Sequence, residues 1–432
     1  MEKRKGANMA SRWQWVLGKT CRKIWFRATL FAIAAVITAL LSIVFKSAIP
    51  ASFSVNVGAD AVDSILNILA SSMLAVSTFS LNIMVAAYGS ATTNVTPRAT
   101  RLVVEDATTQ NVLATFIGSF LFSLVGIIAL SMGAYGDRGR VILFAVTLVV
   151  IALILITLLR WIQHLTSLGS VGETTVRVER AALTALRARA QAPCLGGFPW
   201  LESDAQPAGT VPVYAQTTGY VEHIDMDKLA ARLKGSDTHI FLVAQPGSFV
   251  HFSTPVMFAT AGCGRELFPA LLDALSIGEV RSFNQDPRFC LCVMAEIASR
   301  ALSPAVNDPG TAIDVIGRGV RVFSEFAQQQ AENAAVAYPA IHIAPLPVDA
   351  LFNDFFSPIS RDGAAVREVE IKVLKALAML ANGWPALYEQ AAQAHAAELL
   401  HYIERADYIP GDSQRIHHLH RALFSRAPRD EK

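Results

Sequence analysis

The chain has 432 residues, with 37 Lys+Arg against 35 Asp+Glu and a net charge of +2. Only 17% is charged, against about a quarter in a typical soluble domain, while 53% is hydrophobic. That balance excludes a strongly basic nucleic-acid binder, an acidic disordered chain and a disulfide-stapled scaffold, and the length allows two or three domains.

Residues 1–27 form a basic N-terminus in which Glu2 is the only acid. Four long uncharged stretches follow within residues 28–160. Ala28 to Phe45 and Val141 to Leu159 are apolar apart from a few Thr and Ser, and no charge lies between Asp63 and Arg98 or between Asp106 and Asp137. A bilayer core about 30 Å thick takes roughly 20 apolar residues as a helix. A soluble core with four such runs in 160 residues would need far more surrounding protein, so four transmembrane helices are expected. The first run is too long for a signal-peptide core and is expected to be retained.

Arginine and lysine placement sets the expected orientation. The basic N-terminus, the Arg98 and Arg101 loop, and Arg160, Arg177, Arg180, Arg187 and Arg189 after the fourth span are all expected inside. Both termini are then cytoplasmic, in a bacterial inner membrane. The short loop with Asp137, Arg138 and Arg140 falls outside by parity, against the rule. Five scattered cysteines (Cys21, Cys194, Cys263, Cys290 and Cys292) suit reduced thiols in the cytosol.

The second span carries a polar stripe. At about 100° per residue, Asp60, Ser64, Asn67, Ser71, Thr78 and Asn82 share one face. Polar groups are costly in hydrocarbon, so this face should meet other helices, another subunit or water. Packing between helices is one reading. The other is a pathway, with Asp60 and Asp63 at its outer mouth and Arg98 and Arg101 at its inner one. Thr96-Pro97-Arg98 ends the span, because proline cannot continue the hydrogen-bond ladder.

Residues 161–210 read as an amphipathic helix, interrupted near Gly169 and Gly172, and a Pro/Gly-bearing linker from Pro193. Residues 211–262 alternate in the β manner. Val211–Ala215, Gly219–His223 and His239–Val243 are strand candidates, a short helix starts at Asp225 or Asp227, and Pro246-Gly247 makes a turn. The pattern suggests a small β-barrel-like module for binding or packing. Residues 263–432 read as mainly helical. The expected fold is thus a membrane α-helical domain followed by a cytoplasmic α+β domain with a helical C-terminal part.

Within that part, Arg281-Ser-Phe-Asn-Gln-Asp-Pro-Arg-Phe289 leads into a helix over 290–302, and Ser303-Pro-Ala-Val-Asn-Asp-Pro-Gly-Thr311 opens another. Asp308 before Pro309 fits an N-cap followed by the first helical residue. Two readings stand: plain helix starts, or one polar pocket formed by Arg281, Asp286, Arg288, Asn307 and Asp308, whose arginines grip an anion bidentately. Further helices are expected at 363–382 and 386–406, separated by Asn382-Gly383-Trp-Pro385. A single Glu398-x-x-His401 lacks the second copy a di-iron site needs. No metal set, cofactor motif or activated nucleophile is found, so no catalytic residue is assigned and an enzyme is not the expected class.

These residues resemble a bacterial family of predicted membrane proteins known as domain of unknown function 2254. The resemblance rests on Thr96-Pro-Arg-Ala-Thr-Arg101, Gln110-Asn-Val-Leu-Ala-Thr-Phe-Ile-Gly118, Gly219-Tyr-Val and, above all, the 281–289 and 301–312 segments. Asn284, Cys290 and Gly310 depart from the pattern. The resemblance implies four N-terminal spans and a cytoplasmic domain, and it points to no particular activity. Two functions remain: a homo-oligomeric channel or transporter with the second span lining a path, or a non-transporting sensor or scaffold binding a small anion or protein partner. The lipid bilayer, a second copy and a small ion or anionic ligand are the expected partners, and nucleic acid is not.

Overall fold

The computed structural model describes residues 29, 33, 36–37, 59–104, 106–133, 136–201, 209–260, 262–330 and 335–424. The first expected span, 28–45, lies outside the described residues apart from Thr29, Ile33, Val36 and Ile37. The chain divides into two compact units, with the boundary between Thr174 and Thr175.

The N-terminal unit is helical: α1 (Ala59–Asn94), α2 (Thr100–Val104), α3 (Ala107–Ser131) and α4 (Gly136–Leu165). Among the described residues, three stretches, Ala61–Asn94, Thr100–Ser131 and Gly139–Leu165, are long and apolar enough to cross a membrane. Val62 and Leu66 of α1 pack on Phe122 of α3 and Leu143 of α4; one turn further, Leu69 and Met73 meet Phe116, Ile154 and Trp161. Gly126 permits this approach, since a Cβ there would stand 3.0 Å from Leu66 Cδ1. The outward faces keep Ile68, Phe79 and Leu159 more than 60% exposed. Water would penalise such a surface, and acyl chains do not. At the foot of the unit, His164 Nε2 lies 3.0 Å from Asp106 Oδ2, the carboxylate that caps α3 through the Thr109 amide. Of the two expected interruptions, Gly169 lies in the turn after α4 with φ +76, close to the Ala87 backbone, whereas Gly172 is helical.

The C-terminal unit holds most of α5 (Val171–Gln191), then β1 (Gly197–Pro199), β2 (Thr210–Tyr214), β3 (Gly219–Ile224), α6 (Met226–Leu233), β4 (Ile240–Leu242), β5 (Phe249–Val250), β6 (Pro255–Thr260), α7 (Phe268–Leu272) and β7 (Leu275–Gly278). Helices α8 (Pro287–Ala301) and α9 (Pro309–Gln328) precede β8 (Tyr338–Ile343), and α10 (Val348–Gly363), α11 (Arg367–Gly383), α12 (Pro385–Arg405) and α13 (Pro410–Phe424) complete the chain. Asp225 caps α6 by accepting from the Lys228 amide at 2.9 Å, which settles the start left open between Asp225 and Asp227.

The strands form two open sheets, ordered β1-β8-β4-β6-β2 and β5-β3-β7, in place of the barrel-like module expected over 211–262. β8 makes the difference. It enters parallel to both β1 and β4, and a parallel partner must return through a long crossover. Here the crossover contains α8 and α9, so a strand from the stretch expected to be helical completes the sheet. β1 likewise falls inside the expected linker. Just before it, Cys194 and Leu195 are buried in left-handed conformation, with φ 55 and 53. One core of Val, Ile, Leu, Met and Ala fills the space between the sheets and α6.

The helices α8–α13 enclose a second core built on an aromatic group. Phe323 of α9 meets Phe352, Phe355 and Phe356 of α10, and Tyr388 of α12 donates its hydroxyl to the Phe323 carbonyl at 2.8 Å. Gly319 admits the Phe355 ring, since a Cβ there would lie 2.1 Å from Phe355 Cζ.

Candidate functional site

The starting point is α5. Glu179, nearly buried, accepts from Arg318 Nη1 at 2.6 Å and from Arg321 Nε at 2.8 Å, both on α9. Two turns on, Arg187 pairs with Glu325 of α9 at 2.8 Å. This ladder fixes the azimuth of α5 against α9. It turns Arg189 inward, leaving it 4% exposed.

Arg189 lines a cavity of about 740 Å³ together with Arg281 and Arg288. Among the described residues its one side-chain hydrogen bond is long, from Nη1 to Gln245 Oε1 at 3.4 Å, and it forms no ion pair. Burial pulls its pKa down to about 10, against the opposing influence of the Cys194 thiol and of Asp286. It therefore stays cationic at neutral pH. The other two guanidiniums are each held by a carboxylate. Arg281 grips Asp286 with both prongs, at 2.7 and 3.0 Å, and Arg288 grips Asp354 of α10 at 2.6 and 3.1 Å.

Asp286 has two tasks. It caps α8 by accepting from the Phe289 amide at 3.0 Å, and it orients Arg281. Burial pushes its carboxyl up, while the Arg281 pair and the amide work against that. The turn Gln245–Ser248 closes over it. Ser248 donates its amide to the Gln245 carbonyl at 2.9 Å, and Gly247 donates to the Val221 carbonyl at 2.8 Å. Gly247 has φ +92, and a Cβ there would fall 2.2 Å from Asp286 Oδ2. Only glycine meets both conditions. Ala344-Pro345-Leu346-Pro347 also lines the cavity and is tied to the turn by Gln245 Nε2 donating to the Ala344 carbonyl at 3.1 Å.

Of the five pocket residues named from sequence, the structure brings Arg281, Asp286 and Arg288 to this cavity. Asn307 and Asp308 are not among its lining residues. They follow the far end of α8, whose 15 residues span about 22 Å. Asn307 adopts φ 50 in the turn, and Asp308 caps α9 through the Thr311 amide at 3.1 Å. Sequence reasoning missed Arg189, which looked like one more basic residue after a span, and it missed the 344–347 wall. The Pro246-Gly247 signal was visible, but its partner Asp286 was not.

The stripe residues lie on α1. Ser64, Asn67, Ser71, Thr78 and Asn82 are exposed along it, while Leu66, Leu69, Ala70 and Met73 face the helical core. Asn67 donates to Asp63 Oδ2 at 3.1 Å, and Ser71 and Thr78 donate to carbonyls one turn back at 2.9 and 3.0 Å. Asp60 belongs to α1, and its side chain is outside the described set. Arg98 stands in the turn after α1 and Arg101 in α2, at the other end of the helix from Asp63. Among the described residues, no group of three or more His, Cys, Asp or Glu side chains could hold a metal.

Comparison with known proteins agrees with the helical N-terminal unit. Uncharacterised proteins of Mycobacterium bovis and Mycobacterium tuberculosis are 29% identical over 235 residues. The matched stretch covers 51% of this chain and 43% of each relative, so the chain spans less than half the length of the curated relatives it matches. No solved structure matches. The family described as "Predicted membrane protein (DUF2254)" matches residues 21–379. Over more than four fifths of its length, then, this membrane-associated chain belongs to the predicted membrane protein family DUF2254.

Proposed function

We propose that this protein is a membrane-anchored anion sensor or scaffold, whose C-terminal unit takes an oxyanion between Arg189, Arg281 and Arg288. One observation carries the reading. Arg189 is a buried cation at a cavity wall with no carboxylate paired to it among the described residues. Removing a guanidinium from water costs several kcal/mol unless an opposite charge compensates it, and an incoming anion supplies that charge.

The test uses the full-length protein in detergent. Its thermal midpoint is followed against acetate, phosphate and sulfate at constant ionic strength set with chloride. A ligand that binds only the folded state raises stability as RT ln(1 + [L]/Kd). The parent should shift with at least one oxyanion, and Arg189→Met should lose the shift. The variant should be as stable as the parent without ligand, or more so, because an uncompensated buried charge has been removed. No shift in the parent, or an equal shift in the variant, rejects the reading.

A second reading is favoured by the exposed polar face of α1. In it, copies of the chain associate through Ser64, Asn67, Ser71, Thr78 and Asn82, and a water path for a small ion runs along the seam.

A further inference from the structure

Resting on the anion-binding reading, we infer that the ligand of the three-arginine cavity is an organic monoanion: one carboxylate or phosphodiester charge joined to an apolar body. Charge counting supports the head group. Arg281 and Arg288 each commit two nitrogens to a carboxylate, Asp286 and Asp354 respectively. Among the described residues, three guanidiniums less two carboxylates leave one positive charge, carried by Arg189. A single negative charge balances it, whereas a dianion would bring an excess charge into a half-enclosed space of low dielectric.

The walls support the body. A cavity of about 740 Å³ is far larger than a bare oxyanion needs and falls within the ~300–1,000 Å³ of sites that enclose organic ligands. Besides the arginines, its lining includes Leu201, Val243, Leu346, Pro345 and Pro347. Leu201 and Val243 remain 52% and 45% exposed. Val243 follows β4 on the face opposite the buried Leu242 and Ala244. Covering these side chains releases water at roughly 25 cal/mol per Å². A bare ion could not gain that contribution. Gln245 and Ser248 add polar atoms to the same lining.

The experiment is a set of calorimetric titrations of the full-length protein in detergent. Acetate and inorganic phosphate are the head-only probes; 1-naphthoate, diphenyl phosphate and octanoate are the apolar monoanions. At least one apolar monoanion should bind about tenfold or more tighter than acetate. Val243→Ser and Leu201→Ser should erase most of that advantage while leaving acetate binding unchanged. Preference for octanoate assigns an acyl-chain source, and preference for 1-naphthoate or diphenyl phosphate a ring-bearing metabolite; either supports the inference. If inorganic phosphate matches or exceeds every apolar probe, the inference is overturned while the anion-binding reading stands. If nothing binds, the anion-binding reading itself fails.

Discussion

Glu370 lies in the first turn of α11, fully buried, and among the described residues neither of its carboxylate oxygens has a hydrogen-bond partner. Among the described residues the Tyr408 hydroxyl, from the segment before α13, is likewise unpartnered, and burial raises its pKa. Gly363, at the end of α10, closes the third side: a Cβ there would sit 3.1 Å from Glu370 Oε1. Desolvation holds the Glu370 carboxyl well above the usual carboxylate range, so the folded chain keeps a proton that the unfolded chain releases near pH 4.3. The sign follows from linkage. Where the native state binds more protons, stability falls as pH rises, and here it falls from the unfolded value up to the folded one. Glu370→Gln keeps the shape and removes the titration. The variant and parent should melt together near pH 4.5. Above that the variant should gain steadily, reaching on the order of a few degrees by pH 8. A constant difference at all pH values would show that Glu370 does not titrate in this way.

At the scale of elements, what could be read from the sequence was local, and what could not was long-range. Asp225, Asp286 and Asp308 each precede a helix and cap it through an amide three residues on, a relation contained within four consecutive residues. The Thr96-Pro97 break and the Asn382–Pro385 stop are of the same kind. β8 was hidden because its partners β1 and β4 lie about 140 and 100 residues earlier, and Arg189 because only the Glu179 ladder on α9 aims it. Helix α9 offers a test of such long-range fit, since Gly317 and Gly319 sit in one helix with the same local cost. At Gly317 an added methyl meets nothing within 4 Å, whereas at Gly319 it would overlap the Phe355 ring at 2.1 Å. Gly317→Ala should be neutral or stabilise by up to about 1 kcal/mol through helix propensity. Gly319→Ala should destabilise by about 1–3 kcal/mol through overpacking of the aromatic core. Chemical denaturation of the two variants in parallel measures the contrast. Equal effects would mean that α9 and α10 do not meet at this point.

At the scale of the whole molecule, the polar face of α1 needs a cover. Its 36 residues run about 54 Å, longer than a bilayer core, with an apolar face on the α3–α4 core and a hydroxyl and amide face exposed. Internal hydrogen bonds of Asn67, Ser71 and Thr78 to atoms one turn earlier lower the cost of that face in hydrocarbon without removing it. A second copy of the chain placing the same face against it would satisfy the remaining polar atoms, and a closed ring of copies would enclose water. Light scattering of the purified protein in detergent should then give a mass of more than one chain. Vesicles containing it should pass a small monovalent cation, and Asn67→Leu should abolish flux while the oligomer persists. If the parent is an oligomer without flux, and Asn67→Leu dissociates it, the face is a dry seam between copies. A monomeric parent whose melting point rises when Asn67 becomes leucine would mean that lipid covers the stripe, and neither seam nor path would survive.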